Sequence, residues 1–232
     1  MHSSNPQNEM SNETLRKQAN YAYLLVGLLV LLLVAPFVTE HQQEYARILF
    51  HVVLVATLLI GVWTLVRDRK WFVFGLSLAV LSLLLNSTAI FKSHSTLIYP
   101  IIIVQLLFLF LTLVIAFHDV VLEGSPDLNK IMGAVCIYLL LGIIWAFVYL
   151  AINLALPGSF SGVSSSSPEQ QMSELLYYSF ITLTTLGYGD ISPATHLARV
   201  FAYFEAILGQ FFLAILVAGL VGAHIATKFG QR

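Results

Sequence analysis

The sequence predicts an all-α membrane protein with six transmembrane helices and one short re-entrant helix followed by an extended segment. Three observations predict it. Of 232 residues, 58% are hydrophobic and only 10% are charged, where a soluble domain is about a quarter charged. The mean hydropathy is +0.85, so there is more apolar side chain than one soluble core holds and too little polar surface to cover it. The apolar residues fall into six runs, each close to the roughly 20 residues a helix needs to cross hydrocarbon. A soluble globular domain, a disordered chain and a disulfide scaffold are excluded. The net charge of -1 leaves no nucleic-acid footprint. The lone Cys136 can form neither an intrachain disulfide nor a cysteine cluster.

The runs come in order along the chain. The first is Tyr21 to Val38, the second Ile48 to Val66, the third Trp71 to Phe91. The fourth is Leu97 to Phe117, the fifth Ile131 to Leu156, the sixth Val200 to Thr227. The last two exceed a perpendicular span, which tilt accommodates. The polar residues 1–20 lack the cleavage pattern of a signal peptide. With Glu40, His41 and Glu44 flanking it, the first run reads as a retained helix, and Pro36 near its end costs little.

Orientation follows the lysines and arginines. With the N-terminus inside, the inner segments hold Arg16, Lys17, Arg67, Arg69, Lys70, Lys130, Lys228 and Arg232. The outer segments hold only Arg47, Lys92 and Arg199. The expectation is a multi-pass protein of the cell membrane with both termini cytoplasmic. The cluster from Arg67 to Lys70 reads as a solvated topology anchor, with a lipid-headgroup site as the alternative.

The stretch from Pro157 to Leu197 is the one long interruption. It opens with Pro157-Gly158 and a Gly/Ser-rich loop to Pro168. Met172 to Thr185 is apolar but too short to span, as re-entrant segments are. Pro168, Glu169 and Ser173 are helix-start residues, and Glu174 suits a first turn. Then comes Thr182-Leu183-Thr184-Thr185-Leu186-Gly187-Tyr188-Gly189-Asp190. Extended backbone at membrane depth is tolerated only where protein buries it or it lines a water-filled path. Gly187 and Gly189 alternate, and glycine adopts backbone angles that other residues avoid. Alternation can turn successive carbonyls to one side, and a ring of such carbonyls replaces the hydration shell of a cation.

The string Thr185, Leu186, Gly187, Tyr188, Gly189, Asp190 resembles the filter signature of potassium channels. The layout resembles a six-span, single-pore-loop channel of prokaryotic type. The resemblance implies that residues 172–190 supply a pore helix and selectivity filter and that four identical chains surround one axis. It implies that K+, as permeant ion and not cofactor, is held by the backbone carbonyls of Thr185, Leu186, Gly187 and Tyr188, with Gly189 completing the filter. Leu186 stands where valine is commonest, which puts the packing behind the filter in doubt; its side chain is expected to face the pore helix. Tyr188 is expected to point away from the axis. Tyr177-Tyr178 resembles the aromatic pair that braces the filter, and Asp190 is expected to hold the outer mouth through Tyr178. Where the family often has a glutamate beyond that pair, Ile181 stands here.

Polar residues within the spans are functional candidates. For Glu205 two readings stand. Its carboxylate reaches Ser179 or Thr182 in place of the acid missing at Ile181, or it is a neutral acid hydrogen-bonded between helices. Gly209 resembles a gating hinge, with close helix packing as the alternative; Gly219 and Gly222 suit packing. Gln210 is expected to face the cavity under the filter or to bond another helix. Ser77, Ser82, Asn86, Ser87 and Thr88 read as interhelical hydrogen-bond formers. His51, His118 and His224 lie near span ends, where a histidine can sense pH. No metal-ligand spacing is present.

The domain expectation is a cytoplasmic tail at 1–20, a four-helix region at 21–118 without gating charges, and a pore domain at 119–232. A voltage sensor needs repeated arginines, each worth roughly 2.3 kcal/mol per 100 mV, but Thr96 to Phe117 carries no charged residue. No phosphate loop, EF-hand, nucleophile elbow or zinc motif is present, which argues against an enzyme and against a soluble ligand-binding domain. The expected function is a potassium-selective channel, a homotetramer in membrane lipid. The alternatives are a non-selective cation channel and a non-conducting subunit of a larger assembly.

Overall fold

The computed structural model describes residues 21–36, 69–91, 98–122, 128–164 and 167–229. The elements are α1 (Tyr21–Val34), α2 (Arg69–Phe91), α3 (Ile98–Phe117), a π-helical turn (His118–Leu122) and α4 (Leu128–Ala155). They continue with β1 (Phe160–Ser161), α5 (Pro168–Leu183), β2 (Ser192–Pro193) and α6 (His196–Phe229). The expected second span, the N-terminal tail and His51 lie outside the described residues.

Among the described residues three helical stretches are long and apolar enough to cross a membrane: Ile98–Val120, Asn129–Ala155 and His196–Leu216. Two apolar stretches are shorter, Tyr21–Val34 and Phe72–Leu85. The first is shorter than expected from the sequence. Its helix ends at Val34, ahead of Pro36, because the residue before a proline is pushed out of the helical region.

Helix α4 is the centre of the molecule. α1, α3, α5 and α6 all pack against it, and α2 packs on α3. Its buried face includes Cys136, Ile137, Leu140, Ile143, Ala146 and Tyr149. The start of α1 is tied to the start of α4. The Tyr21 amide donates to Asn129 Oδ1 at 3.0 Å, and its hydroxyl donates to Asp119 Oδ2 in the π turn at 2.8 Å. The end of α1 reaches α5, where Ser173 Oγ donates to the Ala35 carbonyl at 3.3 Å.

α5 is two residues longer than a 14-residue segment and starts earlier than Met172. Ser167 caps it by accepting from the Gln170 amide, and Pro168 occupies the first turn, where its missing N–H costs nothing. Beyond it the chain folds back. β1 and β2 pair antiparallel, Phe160 with Pro193 and Ser161 with Ser192. Gly162 is required here: its φ is +88°, and a Cβ would lie 2.2 Å from the Asp190 carbonyl oxygen. This small ribbon ties the loop before α5 to the outer end of the segment that follows α5.

Candidate functional site

The site is built on the C-terminal end of α5. The last helical carbonyls are taken up by the residues that follow. Thr184 N–H donates to Phe180 O at 3.0 Å and Thr185 N–H to Thr182 O at 2.9 Å. Leu186 N–H and Gly187 N–H then both donate to the Ile181 carbonyl, at 2.8 and 3.1 Å. These two bonds fix a direction. Among the described residues no peptide is cis, so each peptide's C=O points opposite to its N–H. The N–H groups of Leu186 and Gly187 point into α5; the carbonyls of Thr185 and Leu186 therefore both point away from it. In a pleated strand successive groups would alternate.

The backbone angles continue the pattern. Thr185, Gly187 and Gly189 have positive φ values of 58°, 54° and 83°. Glycine makes this easy at two of the positions. Thr185 is β-branched, and a positive φ there is a steric outlier. Strain of this kind persists where the surroundings over-determine it, and it concentrates at functional sites. The strain at Thr185 has no sequence signal of its own; it accompanies the double acceptor at Ile181.

Around this segment the side chains are arranged in two groups. The outer group holds Asp190, whose Oδ2 accepts from the Tyr177 hydroxyl at 2.8 Å. The partner of Asp190 is thus Tyr177 and not Tyr178. The bond to Tyr177 holds the Asp190 carboxyl below the usual carboxylate range and holds the Tyr177 hydroxyl above the usual tyrosine range. Tyr178 is buried instead in a triangle of rings with Tyr149 and Phe160, centroids 5.2 to 5.3 Å apart and edge-to-face. Leu186 and Tyr188 are 54% and 68% exposed. Both side chains are thus largely uncovered within one chain.

The inner group joins α5 to α4 and α6. Glu205 is fully buried, with Ser179 and Tyr149 at its two carboxyl oxygens. Ser179 is one of the two neighbours named from the sequence; Tyr149 had no sequence signal. Tyr138 donates to the Leu183 carbonyl at 3.2 Å. Gly209 lies against the same carbonyl, and a Cβ there would sit 2.4 Å from it. Of its two readings, close packing has a contact behind it. Gln210 Nε2 reaches Thr185 Oγ1 at 3.4 Å, which brings Gln210 to the inner end of the segment. Among the described residues a Cβ on Gly219 would meet nothing within 4 Å.

Residues 134–224 match the family model described as Ion channel. The match covers α5, the segment after it, most of α4 and the larger part of α6, and leaves α1 to α3 outside. The chain is 39% identical over 82 residues to Two pore potassium channel c of Oryza sativa subsp. japonica, covering 34% of this chain and 18% of that protein. It is 44% identical over 68 residues to Potassium voltage-gated channel subfamily KQT member 4 of Homo sapiens, 29% of this chain and 10% of that protein. It is 32% identical over 68 residues to Potassium channel subfamily K member 10 of Mus musculus, 29% and 12%. The chain thus spans less than a fifth of the length of these curated relatives. The similarity is to ion channels and not to enzymes. With three helices apolar enough to cross a bilayer, it indicates a multi-pass membrane protein.

Proposed function

We propose that this chain is one subunit of a potassium-selective channel. Four copies surround a central axis, and residues 119–232 of each supply the pore. The backbone carbonyls of Thr185, Leu186, Gly187 and Tyr188, with the Thr185 hydroxyl and Gly189 closing the outer end, hold dehydrated K+ in adjacent sites. Ions leave by mutual displacement along the axis. The observation that carries the reading is the pair of carbonyls at Thr185 and Leu186 that point the same way, away from α5. One strand cannot surround an ion, and the exposure of Leu186 and Tyr188 leaves surface for neighbouring copies to cover. Asp190 and Tyr177 brace the outer mouth, and Tyr178 and Glu205 hold α5 from behind. Gln210 lines the cavity below. The chain sits in the cell membrane with both termini cytoplasmic. Helices α1 to α3 carry no gating charge in the fourth span and form a collar.

Native mass measurement and thermal unfolding of the purified chain in detergent test this reading. The expected result is four copies per particle and a higher unfolding midpoint in potassium than in sodium, since an ion bound only by the assembled state stabilises it. A monomer with equal midpoints in both salts contradicts it. A tetramer with equal midpoints moves the reading to a non-selective cation pore.

A further inference from the structure

Three oxygen–oxygen contacts run in a chain through Glu205 and Ser179, between α4, α5 and α6. Tyr149 Oη contacts Oε2, and Ser179 Oγ contacts Oε1. Ser179 Oγ also lies 2.7 Å from the carbonyl oxygen of Gly142. Each contact needs one hydrogen between its two oxygens. Tyr149 and Ser179 carry one hydroxyl hydrogen each, and the Gly142 carbonyl carries none. Two hydrogens cannot serve three contacts, and the carboxyl of Glu205 is the only group that can supply the third. We infer that Glu205 is a protonated carboxylic acid. Its Oε1–H donates to Ser179, which completes a one-way chain from Tyr149 through Glu205 and Ser179 to the Gly142 carbonyl.

The surroundings agree with the count. The ionisable groups that face the carboxyl are hydroxyls: Tyr138 and Tyr149 on α4 and Tyr178 on α5. Among the described residues no basic side chain pairs with it. An ion at this place would be a fully buried charge without a counter-charge, the costliest arrangement a protein interior offers. It would also draw the Ser179 hydrogen to itself and leave two bare oxygens facing each other at the Gly142 contact. α4 and α5 are closely packed beside this contact, with Phe180 seated on Gly142, where a Cβ would meet its ring at 2.7 Å.

The acid therefore ties α5 to both long helices at once. Resting on the conduction reading, this makes Glu205 a positioning residue for the carbonyl segment that α5 carries. A glutamine can take the place of the acid, its amide donating to Ser179 and its carbonyl accepting from Tyr149. An alanine cannot.

Infrared difference spectroscopy of the full chain in liposomes, wild type minus Glu205→Gln, reads the proton directly. The expected result at neutral pH is a carboxylic-acid carbonyl band that shifts in heavy water and is missing from the variant. A carboxylate band in its place overturns the inference. Potassium flux in the same liposomes reads the positioning role. Glu205→Ala should cut flux about tenfold or more, as two buried hydroxyls lose their partner, and Glu205→Gln should recover most of that loss. Equal loss in both variants overturns the role. Should the alanine variant fail to fold, the infrared pair and the ratio of Gln to wild-type flux decide. An acid band in a chain that carries no potassium keeps the proton assignment and sinks the conduction reading instead.

Discussion

Helices α2 and α3 share a buried polar pair among the described residues. Ser82 Oγ donates to Gln105 Oε1 at 3.1 Å, and among the described residues Gln105 Nε2 has no hydrogen-bond partner. Where α4, α5 and α6 meet, the polar atoms instead form a connected set: Tyr149, Glu205, Ser179 and the Gly142 carbonyl. Asn153 Oδ1 is the loose end of that region, although its amide donates to Gln171 at 3.1 Å. The positive-φ residues described, from Gly158 to Gly189, all fall between α4 and α6. The glycines approached closely by backbone are Gly162 in the same stretch and Gly209 on the face of α6 that meets the end of α5. One region needs only apolar helices in contact. The other fixes the direction of individual peptide groups, and the constraint is visible as strain, close approach and polar connection.

The largest effect that would break this contrast is at Gly162. Gly162→Ala meets both a positive φ and a backbone oxygen, and each alone costs on the order of 1–3 kcal/mol. The assembled protein should be lost from size-exclusion profiles, and normal recovery would show that the ribbon does not pin the segment. Next comes Gly209→Ala, which must push the Leu183 carbonyl aside. A loss of about 1–3 kcal/mol in thermal stability is expected, together with a lower potassium-to-sodium flux ratio. An unchanged ratio would detach Gly209 from the carbonyl segment.

Smaller effects belong to the outer mouth. The Tyr177–Asp190 contact is present above the ordinary carboxylate range and is lost as pH falls through the lowered Asp190 value. On the alkaline side it is lost only as pH rises through the raised Tyr177 value. The part of potassium flux that depends on this contact should therefore be level between about pH 4 and 10, the ordinary values of the two groups. In Tyr177→Phe the acid limb should move to higher pH, towards the ordinary aspartate value; a limb that stays in place would assign it to another group. The smallest effect should come from the paired change Ser82→Ala with Gln105→Leu. Replacing both partners by apolar groups is close to neutral, so thermal stability should change by less than about 1 kcal/mol and flux should persist. Lost flux would mean that α2 and α3 act on the pore and are not a collar.

The sequence made some of this legible. α3, α4 and α6 follow from long apolar runs, and α5 from a run too short to span. The nearness of Glu205 to Ser179 could be read because both lie in well-bounded helices at a similar depth. Other features were hidden for physical reasons. Neighbouring helical residues point about 100° apart, so which of Tyr177 and Tyr178 faces Asp190 depends on helix phase, and that phase follows from the packing of Tyr178 against Tyr149 and Phe160. The positive φ of Thr185 opposes its own propensity and accompanies the two amides that share the Ile181 carbonyl. The need for glycine at 162 depends on Asp190, which is 28 residues away in sequence and brought close by the two-residue ribbon.

The most direct test of the central claim is ion flux through liposomes that contain only this purified chain, with potassium and sodium in parallel. The account predicts flux with potassium and little with sodium. Equal flux with both ions, or silence from a confirmed tetramer under every condition tried, would contradict it.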